Sequence, residues 1–111
     1  MRNKERIMTE LLEKEFTGGG EVKEFKFRQI GSSELAYCYE VKLFDVPHHY
    51  EVFLKKNSPV CIDFEKRLYS ETEFKESYPK ANSFGITAWS FMDKQEAREK
   101  LIEISTIKEE D

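Results

Sequence analysis

The side chains that could carry chemistry are few: two adjacent histidines, His48 and His49, and two cysteines, Cys38 and Cys61. Adjacent residues on a strand point to opposite faces, so we do not expect the two imidazoles to bind one metal ion. A zinc site would need further Cys, His or carboxylate ligands brought close together. We therefore predict no metal site and interpret His48 and His49 as turn residues.

The candidate nucleophile, Cys38, also does not stand in the surroundings that nucleophilic catalysis requires. Nucleophilic catalysis requires a Cys or Ser beside a base and an orienting group, whereas Cys38 stands in a segment typical of a strand. No G-x-S-x-G segment occurs. The glycines 18–20 lack the Lys-Ser/Thr of a phosphate-binding loop and read as a linker. The sequence predicts no catalytic residue, no cofactor and a protein that is not an enzyme, with Cys38 and Cys61 as reduced thiols in or near the core.

Composition narrows the class of protein. The chain has 111 residues, 36% of them charged, with a net charge of −4, which predicts a single domain over residues 1–111. No apolar run approaches the roughly 18 residues of a membrane helix, and the charged start is unlike a secretory signal. We expect a cytoplasmic protein that does not enter a membrane.

The elements that must position these side chains follow from hydrophobic spacing. Residues 3–16 are predicted to form a helix, because apolar residues recur there at helical spacing, and residues 17–20 a glycine linker. Residues 21–64 are predicted to form a β-meander of four strands with short connections.

The remaining residues complete an α+β fold. Ser70 and Glu73 fit a capping box, which predicts a short helix near 71–77 in an otherwise irregular segment, 65–85. Residues 86–91 are predicted to be a strand. Asp93 and Glu96 fit a second capping box, at the start of a helix over 93–107. The fold class is thus α+β: a four- to five-stranded antiparallel meander, a C-terminal helix packed on one face, and a loosely tethered N-terminal helix.

The hairpin over residues 35–55 is the centre of this arrangement. Its loop is predicted to be Asp45 to His48, or Val46-Pro47, because both lengths place apolar residues opposite apolar residues. Pro47 is placed in the loop because it has no N–H for a ladder bond. The predicted pairs are Phe44 with His49, Leu43 with Tyr50, Lys42 with Glu51, Val41 with Val52 and Tyr39 with Leu54.

The two faces of the hairpin are expected to have different roles. The inner face is predicted to be core against the C-terminal helix and comprises Val41, Leu43, Tyr50 and Val52. The outer face is unusually apolar for a sheet with one solvated side, and it is the candidate interaction surface: Ala36, Cys38, Phe44 and Phe53. A second subunit, another protein or the chain's own N-terminal helix could cover this face.

Nucleic acid is the alternative partner. Lys23, Lys26 and Arg28 make a small basic strand face, and Lys55 and Lys56 lie nearby in sequence. Binding to nucleic acid requires a basic surface with exposed aromatic residues, and the acidic balance of the chain opposes it. An acidic protein of this size could instead occupy a basic surface on another protein.

Several segments form one recognisable pattern: Tyr78-Pro79, residues 84–91, Asp93-Lys94, Glu96-Ala97, Tyr39-Glu40-Val41 and Tyr50-Glu51-Val52. In these segments, which cover about half of the chain, the sequence resembles small uncharacterised proteins of bacteriophages and mobile elements. The resemblance implies an origin and no catalytic residues.

The function predicted from these features is that of a non-enzymatic accessory protein, encoded by a phage or mobile element. It would bind and inhibit or modulate a host or defence protein, and it could form a homodimer. A nucleic-acid-binding module is the alternative, and a small enzyme is a third class.

Overall fold

The computed structural model describes residues 8–20 and 23–106. Their strands are β1 (Met8–Glu10), β2 (Glu15–Thr17), β3 (Phe25–Ser32), β4 (Ala36–Leu43), β5 (Val46–Leu54), β6 (Asn57–Asp63), β7 (Leu68–Glu76) and β8 (Ala88–Phe91), and their α-helix is α1 (Lys94–Thr106). The α+β class with a largely antiparallel sheet and a C-terminal helix is confirmed. No helix in the described ranges has the length and apolar character needed to cross a membrane.

The chain divides into two compact units. The first unit joins the described residues of Met1–Leu12 to Lys56–Tyr78, and the second unit joins Glu13–Lys55 to the described residues of Pro79–Asp111. The prediction of a single domain over 1–111 stays a prediction, and the two units are described separately.

The first unit is a three-stranded sheet in the order β1-β7-β6. Strands β6 and β7 form an antiparallel hairpin, and β1 pairs with β7 in parallel. Beyond β1, the backbone N–H of Leu12 donates a 2.8 Å hydrogen bond to the Glu76 carboxylate. The side chain of Glu76 thus holds the residues that follow β1 against the end of β7.

The second unit is a five-stranded antiparallel sheet in the order β2-β3-β4-β5-β8, with α1 packed on one face. The residues buried between the helix and the sheet form what we call the helix core: Ala36, Cys38, Val52, Ala97 and Ile104. Partly buried Trp89, Phe91 and Leu101 pack around it. The predicted packing of the C-terminal helix on one face of the sheet is confirmed.

The opposite side of this sheet is an aromatic face, formed by Phe27, Tyr37, Tyr39, Val41 and Phe53, all of them buried. The rings of Tyr39 and Phe53 stack with centroids 5.6 Å apart. The Tyr39 hydroxyl donates a 2.7 Å bond to the Glu13 carbonyl and accepts one from the Gln29 amide. Both faces of β4 are therefore buried, and its buried phenol has its polar atom satisfied.

The register predicted for the central hairpin is wrong. The turn consists of Phe44 and Asp45, both at positive φ, and Leu43 pairs with Val46. Two successive residues at positive φ form the type of two-residue turn that suits the twist of a hairpin. Pro47 lies in β5 opposite Lys42, beside a β-bulge, where its missing N–H is tolerated.

The shifted register redistributes the predicted faces. Cys38 pairs with Val52, and Val41 pairs with His49. Tyr50 and Val52 do pack at the helix core, whereas Val41 is buried on the aromatic face. The prediction of one inner face made of Val41, Leu43, Tyr50 and Val52 is therefore wrong.

Three predicted elements also differ. Residues 8–10 and 15–17 are strands, so the predicted helix 3–16 is not seen there, and residues 3–7 lie outside the described residues. The β6 segment, expected to complete the meander, pairs with β7 instead, and β8 occupies the place beside β5. The predicted helix near 71–77 is part of β7.

The side-chain hydrogen bonds expected of the two predicted capping boxes are both present. Ser70 Oγ accepts the N–H groups of Thr72 and Glu73 as in a capping box, although the segment is a strand. Asp93 Oδ2 accepts the Glu96 N–H at 3.1 Å, and α1 begins at the next residue after Asp93, as predicted.

Candidate functional site

The β6–β7 hairpin ends in a segment that is almost entirely exposed, which we call the arm (residues 61–69). Every residue of the arm is exposed except Asp63, which is half-buried. Its large apolar residues are Ile62, Phe64, Leu68 and Tyr69. Each of them has at least half of its surface exposed. Phe64 reaches 81% exposure.

Local hydrogen bonds build the turn of the arm without help from these apolar side chains. The Asp63 carboxylate accepts the Lys66 N–H at 3.2 Å, and the Phe64 carbonyl accepts the Arg67 N–H at 3.2 Å. Arg67 closes the turn at φ 55°. The shape of the turn therefore does not depend on contacts of the Phe64 ring, which remains exposed.

An irregularity in strand pairing separates the arm from the rest of its sheet. Pro59 pairs with Phe74, but Cys61 pairs with Tyr69, so one residue of β6 faces four residues of β7. Two of those four, Thr72 and Glu73, turn their N–H groups to the Ser70 hydroxyl. This side chain satisfies backbone groups that lose their ladder partners, as is usual where pairing is interrupted.

The predicted interaction surface is not one face of the structure. Ala36 and Cys38 are buried in the helix core, and Phe53 is buried on the aromatic face. Phe44 is 70% exposed and lies in the turn. The expectation that these four residues share one face is wrong for Phe53, because the bulge near His48 shifts the pairing by one residue and places Phe53 opposite Tyr37. The role of the four residues in binding stays a prediction.

The two cysteines differ in environment. Cys38 is fully buried and Cys61 is exposed on the arm, and neither forms a disulfide. Burial raises the pKa of the Cys38 thiol from 9.0 to about 11, and the positive charges of Arg98 and Lys94 only partly oppose this rise. At neutral pH Cys38 is thus a protonated core side chain, which does not suit it to act as a nucleophile.

The two histidines lie side by side, contrary to the expectation that they point apart. His48 is the additional residue of the bulge, since Val41 pairs with His49 and Lys42 with Pro47. The two Nδ1 atoms are 2.8 Å apart, and His49 Nε2 lies 2.8 Å from the Glu51 carboxylate. When His49 donates to Glu51, its Nδ1 accepts from His48.

This chain of hydrogen bonds has an evident structural role, because Glu51 is buried and His49 gives it a partner. Among residues 8–20 and 23–106, no group of three or more His, Cys, Asp or Glu side chains could hold a metal ion.

Two of the basic strand residues, Lys26 and Arg28, line a shallow depression of about 500 Å³ together with Lys42. Nearby carboxylates offset much of this charge. Arg28 contacts Glu40 at 3.0 Å, and Lys26 lies 3.5 Å from Asp45. The depression therefore does not have the excess positive charge that phosphate binding requires.

A second depression, which we call the helix groove, lies in the second unit beside α1 and has a volume of about 410 Å³. Its apolar lining consists of Leu35, Leu54, Ile86, Trp89 and Ile104. Lys100 and Glu103 also line it; Lys100 Nζ lies 4.3 Å from the centre of the Trp89 ring and 3.4 Å from Glu103 Oε2.

No family model matches the chain, and no curated protein or solved structure matches it either. The choice of a functional site therefore depends on the exposed groups themselves. The arm was missed from the sequence, although apolar pairs on both sides of residues 65–67 are a signal of a hairpin that presents apolar side chains.

Proposed function

We propose that the protein is a non-enzymatic accessory protein that acts in the cytoplasm by binding another protein, with the arm as its binding surface. The observation that supports this proposal most strongly is that four large apolar side chains are exposed at one end of a hairpin. Apolar patches that a protein leaves exposed are commonly sites where it binds another macromolecule. The resemblance to phage and mobile-element proteins supports the further proposal that the bound protein belongs to a host or its defences.

The preformed turn favours this role. Because local hydrogen bonds already order residues 63–67, binding would not need to order this part of the chain, which lowers the entropic cost of association. Complete burial of one large apolar side chain is worth about 1.5–3 kcal/mol. Association costs about 4–15 kcal/mol in lost freedom, so we expect the partner also to contact polar groups around the arm.

The chemistry of the candidate nucleophile supports a non-enzymatic role. The raised pKa of Cys38 keeps the thiol protonated, and the helix core surrounds it. The hydrogen bonds of His49 hold a buried carboxylate, which is a sufficient structural reason for that residue.

Site-specific photo-crosslinking tests the proposal. A photoreactive phenylalanine analogue replaces Phe64 in one variant and Met92 in a control, since Met92 is 78% exposed and lies outside the arm. We expect position 64 to crosslink a distinct protein in a lysate of the cells in which the protein is naturally made, and position 92 not to do so. Equal crosslinking from both positions, or none from position 64, would contradict the proposal.

A further inference from the structure

We propose that the peptide bond between Arg67 and Leu68 is a cleavage site for an endoprotease that cuts after basic residues, and that this cut disables the arm without unfolding the chain. The bond lies in the turn of the arm, where Lys66 and Arg67 are adjacent and exposed. Exposed turns at the ends of hairpins are preferred sites of proteolytic cleavage. The cut itself depends on the first unit alone, and its consequence for binding rests on the proposed function.

The two basic side chains of the turn are available to a protease. Neither Lys66 nor Arg67 forms an ion pair with another residue in the described part of the chain. A protease that cuts after basic residues binds such a side chain through a carboxylate in its specificity pocket. The turn therefore presents the chemical group that this class of enzyme recognises.

The turn can open without a large loss of bonds. A protease binds its substrate in an extended form, so the turn must open before the bond is cut. The bonds that close it are those from Lys66 N–H to the Asp63 carboxylate and from Arg67 N–H to the Phe64 carbonyl, both at 3.2 Å. Arg67 has φ 55°, which is unfavourable for a residue with a side chain. An extended form removes this strain.

The interruption in strand pairing confines the opening to the arm. The ladder of β6 and β7 is irregular between Pro59 and Cys61 and again between Cys61 and Asp63. Residues 57–59 keep their regular partners, residues 74–76, whether or not the pairs within the arm are formed. Local opening of this kind does not require the rest of a domain to unfold.

The second pair of adjacent basic residues in the sequence, Lys55-Lys56, is held differently. The Lys55 N–H donates a 2.8 Å bond to the Leu35 carbonyl, and Lys55 Nζ lies 4.8 Å from the centre of the Tyr37 ring. The Lys56 carbonyl accepts the Ser77 N–H at 3.2 Å. Because its backbone is bonded to neighbouring segments, this pair is an internal control for the arm.

The cut leaves the two fragments joined by strand pairing. Hydrolysis breaks the C–N bond and adds one water molecule, which leaves a carboxylate on Arg67 and an amino group on Leu68. Strand β7 of the C-terminal fragment stays between β1 and β6 of the N-terminal fragment, and β8 stays beside β5. The turn no longer connects Phe64 to Leu68, so the apolar side chains of the arm are no longer held together as one surface.

Limited digestion with trypsin, followed by mass spectrometry, tests the site. We expect the first cut within residues 8–106 to follow Arg67 and to be at least tenfold faster than a cut after Lys55 or Lys56. A Lys66→Gln, Arg67→Gln double variant should form the two fragments at least tenfold more slowly. Lys80→Gln, which also changes an exposed lysine, is the matched control and should leave the rate unchanged. A first cut elsewhere in this range, or equal rates for wild type and the double variant, would overturn the inference.

Two further measurements test whether the opening and the damage are local. Glu76→Ala removes the acceptor of the Leu12 N–H, which lies in the first unit outside the arm. The cleavage rate of this variant should equal that of wild type, and a rate several-fold faster would show that the whole unit must open. The cleaved protein should elute as one species in size-exclusion chromatography and separate only in denaturant. Separation without denaturant would contradict a cut that leaves the chain folded.

Crosslinking from position 64 tests the consequence for binding. Protein that carries the photoreactive analogue at position 64 and has been cut by trypsin should crosslink its partner at least tenfold less than the uncut protein. Equal crosslinking would overturn the loss of binding and leave the cleavage site standing. If the uncut protein crosslinks no other protein, the proposed function is contradicted together with this consequence, whereas the digestion decides the cleavage site separately.

Discussion

The buried thiol of Cys38 should make the stability of the second unit fall at alkaline pH. Burial raises the pKa of this thiol from 9.0 to about 11 in the folded protein. A raised folded-state pKa means that the native state holds the proton more tightly than the unfolded state. The stabilising effect is complete below pH 9 and is lost as the pH rises from 9 toward 11.

The size of the effect follows from the two pKa values. At pH 10 the unfolded thiol is largely ionised and the native thiol is not, which favours unfolding by about 1 kcal/mol relative to pH 7. For a domain of this size, that loss lowers the melting temperature by roughly 4–8 °C. Other groups also titrate in this range, so the prediction concerns the difference between wild type and a Cys38→Ala variant.

Denaturant unfolding followed by the fluorescence of Trp89, the single tryptophan of the chain, measures this difference. Between pH 7 and pH 10, wild type should lose about 1 kcal/mol more of its free energy of unfolding than Cys38→Ala. The cavity left by the alanine lowers stability at both pH values and cancels. Cys61→Ser, which changes the exposed cysteine, should behave as wild type. Equal losses in wild type and Cys38→Ala would refute the reasoning.

For three further changes in sequence, the structure determines whether the free energy of unfolding should rise or fall. Phe44 and Asp45 both have positive φ, so the pair Phe44→Asn and Asp45→Gly should raise the free energy of unfolding by about 1 kcal/mol; a lower melting temperature would contradict this. Asp93→Ala removes the cap of α1 and should lower that free energy by about 0.5–2 kcal/mol in chemical denaturation, whereas an unchanged midpoint would show that the cap is dispensable. Glu51→Ala leaves His49 without its 2.8 Å acceptor and should cost about 1–3 kcal/mol in the same assay, and a neutral result would indicate that His49 finds another partner.

The parts of the fold that depend on local signals could be predicted from the sequence. Asp93 and Glu96 marked the start of α1 because a cap acts within one turn of helix. The two strands of the central hairpin were also recognisable. Their pairing was not recognisable. Because β4 is buried on both faces, the alternation of apolar residues says little about which residues of the two strands share a face.

Tertiary pairing accounts for the remaining differences. Apolar spacing around Met8 and Leu11 favoured a helix, but β1 pairs with β7, which is distant in sequence. Ser70 makes the bonds of a cap inside a strand, so the same local chemistry serves two backbone conformations. The candidate site was missed for the same reason: residues 60–64 were assigned to the central sheet, where their apolar side chains would have been covered.

Competition for crosslinking at position 64 tests the central claim most directly. Unlabelled wild-type protein is added in excess to the crosslinking mixture and compared with an Ile62→Ser, Phe64→Ser double variant, whose changes affect exposed side chains only. The account predicts that wild type abolishes the crosslink to the partner protein and that the double variant leaves it nearly intact. Equal competition by both proteins would show that a surface other than the arm binds the partner.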